Sequence, residues 1–334
     1  MRVSVVMPVL NEAAHIAGVL RGLFQQDWHG PLEVVIVDGG SDDGTVSIIE
    51  KVAQEAPPHV SFRLLHNPRR HIPISLNLAC QNSSGEVIVR LDGHTYPPRE
   101  YISRLMKALQ EINFQGIVGG RCEIVPARDS MIAQAIAVAV SHPVGIGNAA
   151  YRVHRGGGEG LITVDTVPFG AFAKTLWMEL GGYDERFLAS EDYDFAWRAR
   201  KRGYQVYMDP HLVCRYIPRD TFGRLWQQYF RYGYWVSHLL LKHRAVPTLR
   251  KLAPLALLTS VCVAFLMKPW IGWSILGTYV LVLGAIATVE AFQTQRTVGF
   301  ALLLLLAFIT LHWSYAAGNL VGFLAAFYKR FASS

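Results

Sequence analysis

The sequence predicts an α/β domain on a mostly parallel sheet, followed by an interfacial helix and a membrane-like apolar tail. Three observations predict this arrangement. Short β-rich apolar runs alternate with helical stretches four times between Val3 and Glu111, the pattern of successive strand–helix units whose helices cover the sheet. The last 84 residues carry six charges: Lys251, Lys268, Glu290, Arg296, Lys329 and Arg330. Residues 215–251 hold eight Lys or Arg against one acid, Asp220, which equals the whole formal charge of +7 on the 334-residue chain.

The first strand is Val3–Val9, and a helix follows over Glu12–Gln26. Glu33–Val37 pairs in the same way with Thr45–Glu55, Phe62–Leu65 with Pro73–Cys80, and Glu86–Leu91 with Arg99–Glu111. Gly116–Glu123 reads as another strand, Ser130–Val140 as a helix, and Thr163–Ala173 as a strand. Between them Ser141–Gly160 is rich in glycine and basic residues, and its glycines at 156–158 and 160 predict a mobile loop. Glu191–Lys201 reads as a charged helix. Thr221–Lys242 mixes Leu225, Trp226, Tyr229, Phe230, Tyr232 and Trp235 with Arg224 and Arg231, which suits a helix lying on a membrane and also an ordinary docking helix.

Lys268-Pro269 and Gln293–Thr297 split the tail into apolar stretches at 252–267, 270–292 and 298–326. Three transmembrane spans are expected. The first stretch is short, about 24 Å of helix against a hydrocarbon core of ~30 Å, so two spans with a re-entrant segment are the alternative. The chain therefore divides into a domain at 1–214, a basic aromatic region at 215–251 and a membrane region at 252–328.

Composition narrows the function. A chain that is 51% hydrophobic is not disordered,. A net positive charge concentrated in one stretch beside an apolar tail is not the solvated face of a nucleic-acid binder, so no nucleic acid is expected as a partner. Cys80, Cys122, Cys214 and Cys262 have no CxxC or metal-like spacing, which fits a reducing compartment,. The first apolar run, Val3–Leu10, is too short for a secretory signal and contains Pro8,. The first domain is accordingly expected in the cytoplasm, on a multi-pass plasma (inner) membrane protein.

Ligands of such sheets bind beyond the carboxyl ends of the strands, where three groups of polar residues stand. Asn11-Glu12 follows the first strand. The second ends in Asp38-Gly-Gly-Ser-Asp-Asp-Gly-Thr45, where Asp38 suits either a base or ribose hydrogen bond or an ordinary turn. The fourth ends in Asp92-Gly93-His94; if the strand persists, both side chains share a face and can hold a divalent cation that bridges a diphosphate. Arg90, two residues earlier, suits either an offset of charge near the phosphates or a structural ion pair. Glu191 and Asp192 open a helix, where a carboxylate stays ionised and can act either as general base or as a simple cap.

Taken in order, these pieces resemble family 2 glycosyltransferases, inverting enzymes of GT-A fold, and most closely the branch that includes succinoglycan biosynthesis enzymes. The resemblance runs from residue 3 to about 235. It rests on Ser4–Glu12 (SVVMPVLNE), VDGGSDDGT ending at Thr45, Ser83–His94 (SSGEVIVRLDGH), Val164–Gly170 (VDTVPFG), Gly181–Phe187 (GGYDERF), Ser190–Asp194 (SEDYD) and Gln228–Tyr232 (QYFRY). Three positions depart from the family pattern: His94 replaces the second Asp of D-x-D, Gly39 that of D-D-G-S, and Tyr232 the Trp of Q-x-x-R-W.

The resemblance implies that Asp38 reads uracil and that Pro8 and Glu12 line the nucleotide site. It implies that Asp92 and His94 hold Mn²⁺ or Mg²⁺ at the diphosphate. Asp192 is then the base, with Glu191 beside it, and Gln228 and Arg231 steady the leaving diphosphate. The loop with His142-Pro143 and Gly145–Gly147 lies where this branch places the acceptor. The implied reaction moves a hexose, glucose first, from a UDP-sugar to a polyprenyl-diphosphate-linked saccharide of a surface polysaccharide, with membrane lipids as further partners. The alternatives are a polyprenyl-phosphate glycosyltransferase, a polysaccharide synthase, or a non-catalytic nucleotide-sugar-binding membrane subunit.

Overall fold

The computed structural model describes residues 1–147, 149–153, 157, 160–245 and 249–332. The chain forms two compact units, Met1–Glu123 with His154–Tyr216, and Ile124–Val153 with Ile217–Ser334. The segment Ile124–Val153, which the sequence division left in the first domain, thus keeps its contacts with the C-terminal unit.

The first unit is built on eight strands: β1 (Val3–Val9), β2 (Leu32–Asp38), β3 (Val60–His66), β4 (Val87–Arg90), β5 (Gly116–Ile124), β6 (Ile162–Thr163), β7 (Gly170–Ala173) and β8 (Gln205–Tyr216). They lie in the order β3-β2-β1-β4-β7-β5-β8-β6. β1 to β4 pair in parallel, as strands joined by the crossover helices Ile16–Phe24, Thr45–Ala53 and Ile72–Asn82 must,. β7 then inserts antiparallel between β4 and β5. The sheet is mixed, with β1 to β5 sharing one direction.

Sequence explains the parallel half directly. β1, β2 and β4 are rich in Val, Ile and Leu and are buried nearly throughout, as strands covered on both faces must be. The helix Ile16–Phe24 presents Ile16, Val19, Leu20 and Leu23 to the core, an i, i+3, i+4, i+7 stripe,. It begins four residues later than its periodicity predicts, because the backbone N–H groups of Asn11, Glu12 and Ala13 are bound by Ser41, Thr45 and Asp43.

Two other elements differ from expectation. Thr163–Ala173 is not one strand: β6 and β7 pair with different neighbours. β8 has no counterpart among the expected elements; it runs through Pro210, whose carbonyl accepts from Arg121 Nε, and Asp209 is held by a bidentate Arg104.

In the second unit, the helix Met131–Ala139, capped by Ser130, shares one core with the helices Pro269–Gln293 and Val298–Ala332 through Ile136, Leu283, Phe300, Leu304 and Phe308. The helix Phe222–His243, capped by Thr221, packs along Val298–Ala332. Small residues make this approach close: a Cβ at Gly233 would lie 2.1 Å from the Tyr315 carbonyl, and one at Gly318 would lie 2.0 Å from that of Phe230. The basic aromatic helix is therefore docked along one face, while Arg224, Trp226 and Arg231 are exposed.

The expectation of three spans is corrected to two helices long and apolar enough to cross a membrane, Pro269–Gln293 and Val298–Tyr328. The first stretch forms only the shorter apolar helix Ala253–Met267, about 23 Å at 1.5 Å per residue. Residues 154–156 and 158–159 of the expected mobile loop lie outside the described residues.

Candidate active site

The carboxyl edge of the parallel strands carries the candidate residues of the first unit. Val9, Asp38 and His66 stand in one register row across β1, β2 and β3. Asp38 is buried, and its carboxylate accepts from the N–H groups of Gly40 and Ser41 and from Ser41 Oγ at 2.6 Å. His66 Nδ1 lies 3.6 Å away. The turn thus fixes the carboxylate that the resemblance assigns to uracil. Pairing of β1 with β4 stops at Val6, two residues before Pro8, which has no N–H to give; the sheet opens there.

β4 ends at Arg90, and the chain turns at once, with the Thr95 N–H bonding the Asp92 carbonyl at 3.0 Å. The strand does not persist to His94, so strand alternation is not what orients Asp92 and His94. His94 Nδ1 instead meets Glu12 Oε1 at 2.8 Å, and the His94 ring lies 6.2 Å from that of Tyr216. Gly93 makes the approach possible, since a Cβ there would lie 2.9 Å from Glu12 Cγ.

Arg90 joins this edge to the helix Glu191–Lys201. Its Nη2 is 2.8 Å from Glu191 Oε1 and 3.5 Å from Asp92 Oδ1. Burial by itself lowers the guanidinium pKa, but Asp92 and Glu191 outweigh it and hold the net value above the ordinary one. Burial pushes the Glu191 carboxyl up from the usual carboxylate range, against the pull of Arg90.

The helix enters through Ser190 in the left-handed region, φ 65°, and presents three acids in its first turn. They have different settings. Glu191 is buried on Arg90; Asp194 is wholly buried and bonded to Arg198 Nε at 2.8 Å, with Arg198 also donating to the carbonyls of Leu180 and Gly182. Asp192 alone is partly exposed, and it lines a recess with Arg90, Gly170, Phe172 and Tyr183.

Structure therefore brings Asp92, Glu191 and Asp192 together around Arg90, and pairs Glu12 with His94 in the turn that follows Asp92. Gln228 and Arg231 belong to the second unit, where Gln228 Nε2 donates to Tyr232 Oη at 3.0 Å and Arg231 is exposed on its helix. The ion pairing expected of Arg90 is present, with Glu191 and Asp92 as its partners.

Among the described residues no group of three or more His, Cys, Asp or Glu has the geometry to hold a metal ion. What the site offers is the partly exposed Asp92 carboxylate and, in the turn that follows it, a Glu12–His94 pair. Such a donor set fits a hard cation that takes its remaining ligands from substrate phosphates, not an all-protein cage.

Comparison with known proteins places this geometry. The family model "Glycosyl transferase family 2" matches residues 4–137, and "Glycosyl transferase family group 2" matches residues 148–321. The chain is 31% identical over 264 residues to the succinoglycan biosynthesis protein ExoA of Rhizobium meliloti (strain 1021), covering 75% of this chain and 74% of that one. It is 23% identical over 235 residues to a dolichyl N-acetyl-alpha-D-glucosaminyl phosphate 3-beta-D-2,3-diacetamido-2,3-dideoxy-beta-D-glucuronosyltransferase of Methanococcus voltae, covering 69% and 71%. Among solved structures, the mannosyltransferase PcManGT from Pyrobaculum calidifontis, in complex with GDP-Man and Mn²⁺, aligns with a TM-score of 0.61 at 23% identity over 93% of this chain and 87% of that one. S. aureus TarS 1-349 with UDP-GlcNAc aligns with a TM-score of 0.53 at 16% identity over 96% and 90%. Both likenesses concern the fold.

Proposed function

Since the chain belongs to glycosyltransferase family 2, we propose that it transfers a hexose, glucose as the first candidate, from a UDP-sugar to a hydroxyl of a polyprenyl-diphosphate-linked saccharide. The proposed setting is exopolysaccharide or other surface polysaccharide synthesis. The observation that carries the reading is the pair of partly exposed carboxylates, Asp92 in contact with buried Arg90 and Asp192 lining a recess with it.

Asp192 accepts the proton of the acceptor hydroxyl as its oxygen attacks the anomeric carbon from the face opposite the diphosphate, and the configuration inverts. Its exposure suits it to this role better than Glu191, which is committed to Arg90, or Asp194, which is committed to Arg198. Asp38 holds the uracil, with Pro8 and Glu12 lining the nucleotide site. Asp92, with His94, is where Mn²⁺ or Mg²⁺ would bind, and its charge would neutralise the departing diphosphate. Arg231 and Gln228 are proposed as further partners of that diphosphate.

A lipid-linked acceptor accounts for the apolar helices. Pro269–Gln293 leaves Trp270, Trp273, Leu281 and Phe292 exposed, the composition of a surface covered by lipid. We place the enzyme as a multi-pass protein of the plasma (inner) membrane with its catalytic unit cytoplasmic. The name of the Rhizobium relative supports an exopolysaccharide pathway.

Membranes containing the protein, incubated with labelled UDP-sugars, Mn²⁺ or Mg²⁺ and extracted lipid acceptors, test the reading. Label should enter the lipid extract only when metal is supplied, in a β linkage from an α-linked donor. Binding of UDP without transfer from any donor would overturn it in favour of a nucleotide-sugar-binding subunit.

A further inference from the structure

Arg90 is the last residue of β4, and its side chain is more than nine-tenths buried. One nitrogen, Nη2, serves both Glu191 Oε1 at 2.8 Å and Asp92 Oδ1 at 3.5 Å. The other two, Nε and Nη1, are buried without a hydrogen-bond partner, and the side chain lines the recess beside Asp192. A buried ion pair kept only for stability is a poor device when its donors are left orphaned, because the desolvation cost is then not recovered. What the arrangement does secure is geometry, since a planar guanidinium fixes the directions of the groups it holds.

We propose that Arg90 is a positioning residue: by holding Glu191 and Asp92 with one guanidinium, it sets the first turn of the helix Glu191–Lys201, and with it Asp192, against the diphosphate side of the site. This rests on the glycosyltransferase reading above. Asp192 is the next residue after Glu191, so a displacement of the Glu191 carboxylate is passed on through one peptide unit. Lysine at position 90 keeps the charge but supplies a compact ammonium in place of the fork.

The test combines Arg90→Lys, Glu191→Gln and the double variant in the full-length protein, measuring kcat and donor KM together with UDP binding in the presence of Mn²⁺ by calorimetry. Arg90→Lys is expected to lower kcat by ~10–100-fold, as misplacement on the scale of 1 Å does. KM and UDP affinity should stay within about threefold, the mark of an interaction that acts in the chemical step. In the Glu191→Gln background the same substitution should cost less than about threefold more, because the two residues act as one unit.

Equal losses in both backgrounds would overturn the proposal. So would UDP affinity falling in step with kcat, which would make Arg90 act on the donor, directly or through Asp92, and not on the placement of Asp192. If Arg90→Lys and Arg90→Gln both fail to fold while Glu191→Gln folds, Arg90 is structural and the proposal is wrong. Wild-type protein that binds UDP and transfers nothing refutes the glycosyltransferase reading itself, and this proposal with it.

Discussion

His94 Nδ1 and Glu12 Oε1 are 2.8 Å apart, so the imidazole in the turn after β4 is tied to the carboxylate in the turn after β1. On the proposed function, Asp92 would then be the principal protein donor for a divalent cation, with His94 held by Glu12. Asp92→Ala should reduce transfer by about 10²–10³-fold, the scale for removing one electrostatic stabiliser, and should raise the Mn²⁺ concentration needed for UDP binding. His94→Ala should cost about tenfold or less. Metal titrations of UDP binding check the order; equal effects would make His94 a full partner.

Asp192→Asn removes the proposed base while keeping its shape. Transfer should fall by ~10²–10⁴-fold with UDP binding unchanged. Initial rates with saturating donor, beside a binding isotherm, read both quantities. Full transfer by the Asn variant would end the assignment.

Glu33 predicts a pH dependence of stability. Its carboxylate is buried and accepts from Ser4 Oγ at 2.5 Å and from the Ser84 N–H at 2.7 Å. Burial alone would raise its pKa, yet these bonds together with Arg63 hold it below the ordinary value. A depressed folded-state pKa contributes stability that is complete above the unfolded value, about 4.3, and is lost as pH falls through the folded value. Glu33→Gln should therefore be destabilised by about 1–3 kcal/mol near neutrality, and the gap to wild type should close below about pH 4. Thermal unfolding across pH 3–8 measures it, on an order-of-magnitude scale.

The same bonds show why sequence reading worked where it did. Ser4 and the Ser83–Gly85 turn were visible as motif letters, but their work is structural: Gly85 N–H donates to Ser4 Oγ at 2.9 Å, and a Cβ at Gly85 would lie 2.5 Å from that oxygen. They fasten the starts of β1, β2 and β4, and so set the register that delivers Asp38 and Arg90 to the far edge. Apolar runs revealed the parallel half because β1, β2 and β4 are buried on both faces. They could not reveal β8, whose Pro210 and Asp209 are accommodated by Arg121 and Arg104 from distant segments. Nor could they sort the three acids of SEDYD, whose settings depend on Arg90 and Arg198, far from one another in the chain.

Gly318 and Gly322 predict how the second unit is held together. They lie one helical turn apart in Val298–Ala332, facing Phe222–His243, in which Gly233 and Ser237 have the same four-residue spacing, a small-xxx-small pattern in both helices. A Cβ at Gly318 would lie 2.0 Å from the Phe230 carbonyl, and one at Gly322 would lie 2.0 Å from Ser237 Oγ and 2.6 Å from the Tyr234 carbonyl. Real Cβ contacts do not reach such distances, so any side chain must push the helices apart and forfeit dispersion contacts on both sides. Gly318→Val should destabilise the unit by ~3 kcal/mol or more, beyond the 1–3 kcal/mol of ordinary overpacking, because it meets backbone. Gly322→Ala should cost less, since the Ser237 hydroxyl can turn away, and combining it with Ser237→Ala should recover part of the loss. Thermal unfolding of the detergent-solubilised variants gives the ranking. A Gly318→Val protein as stable as wild type would show that the two helices do not cross at this point.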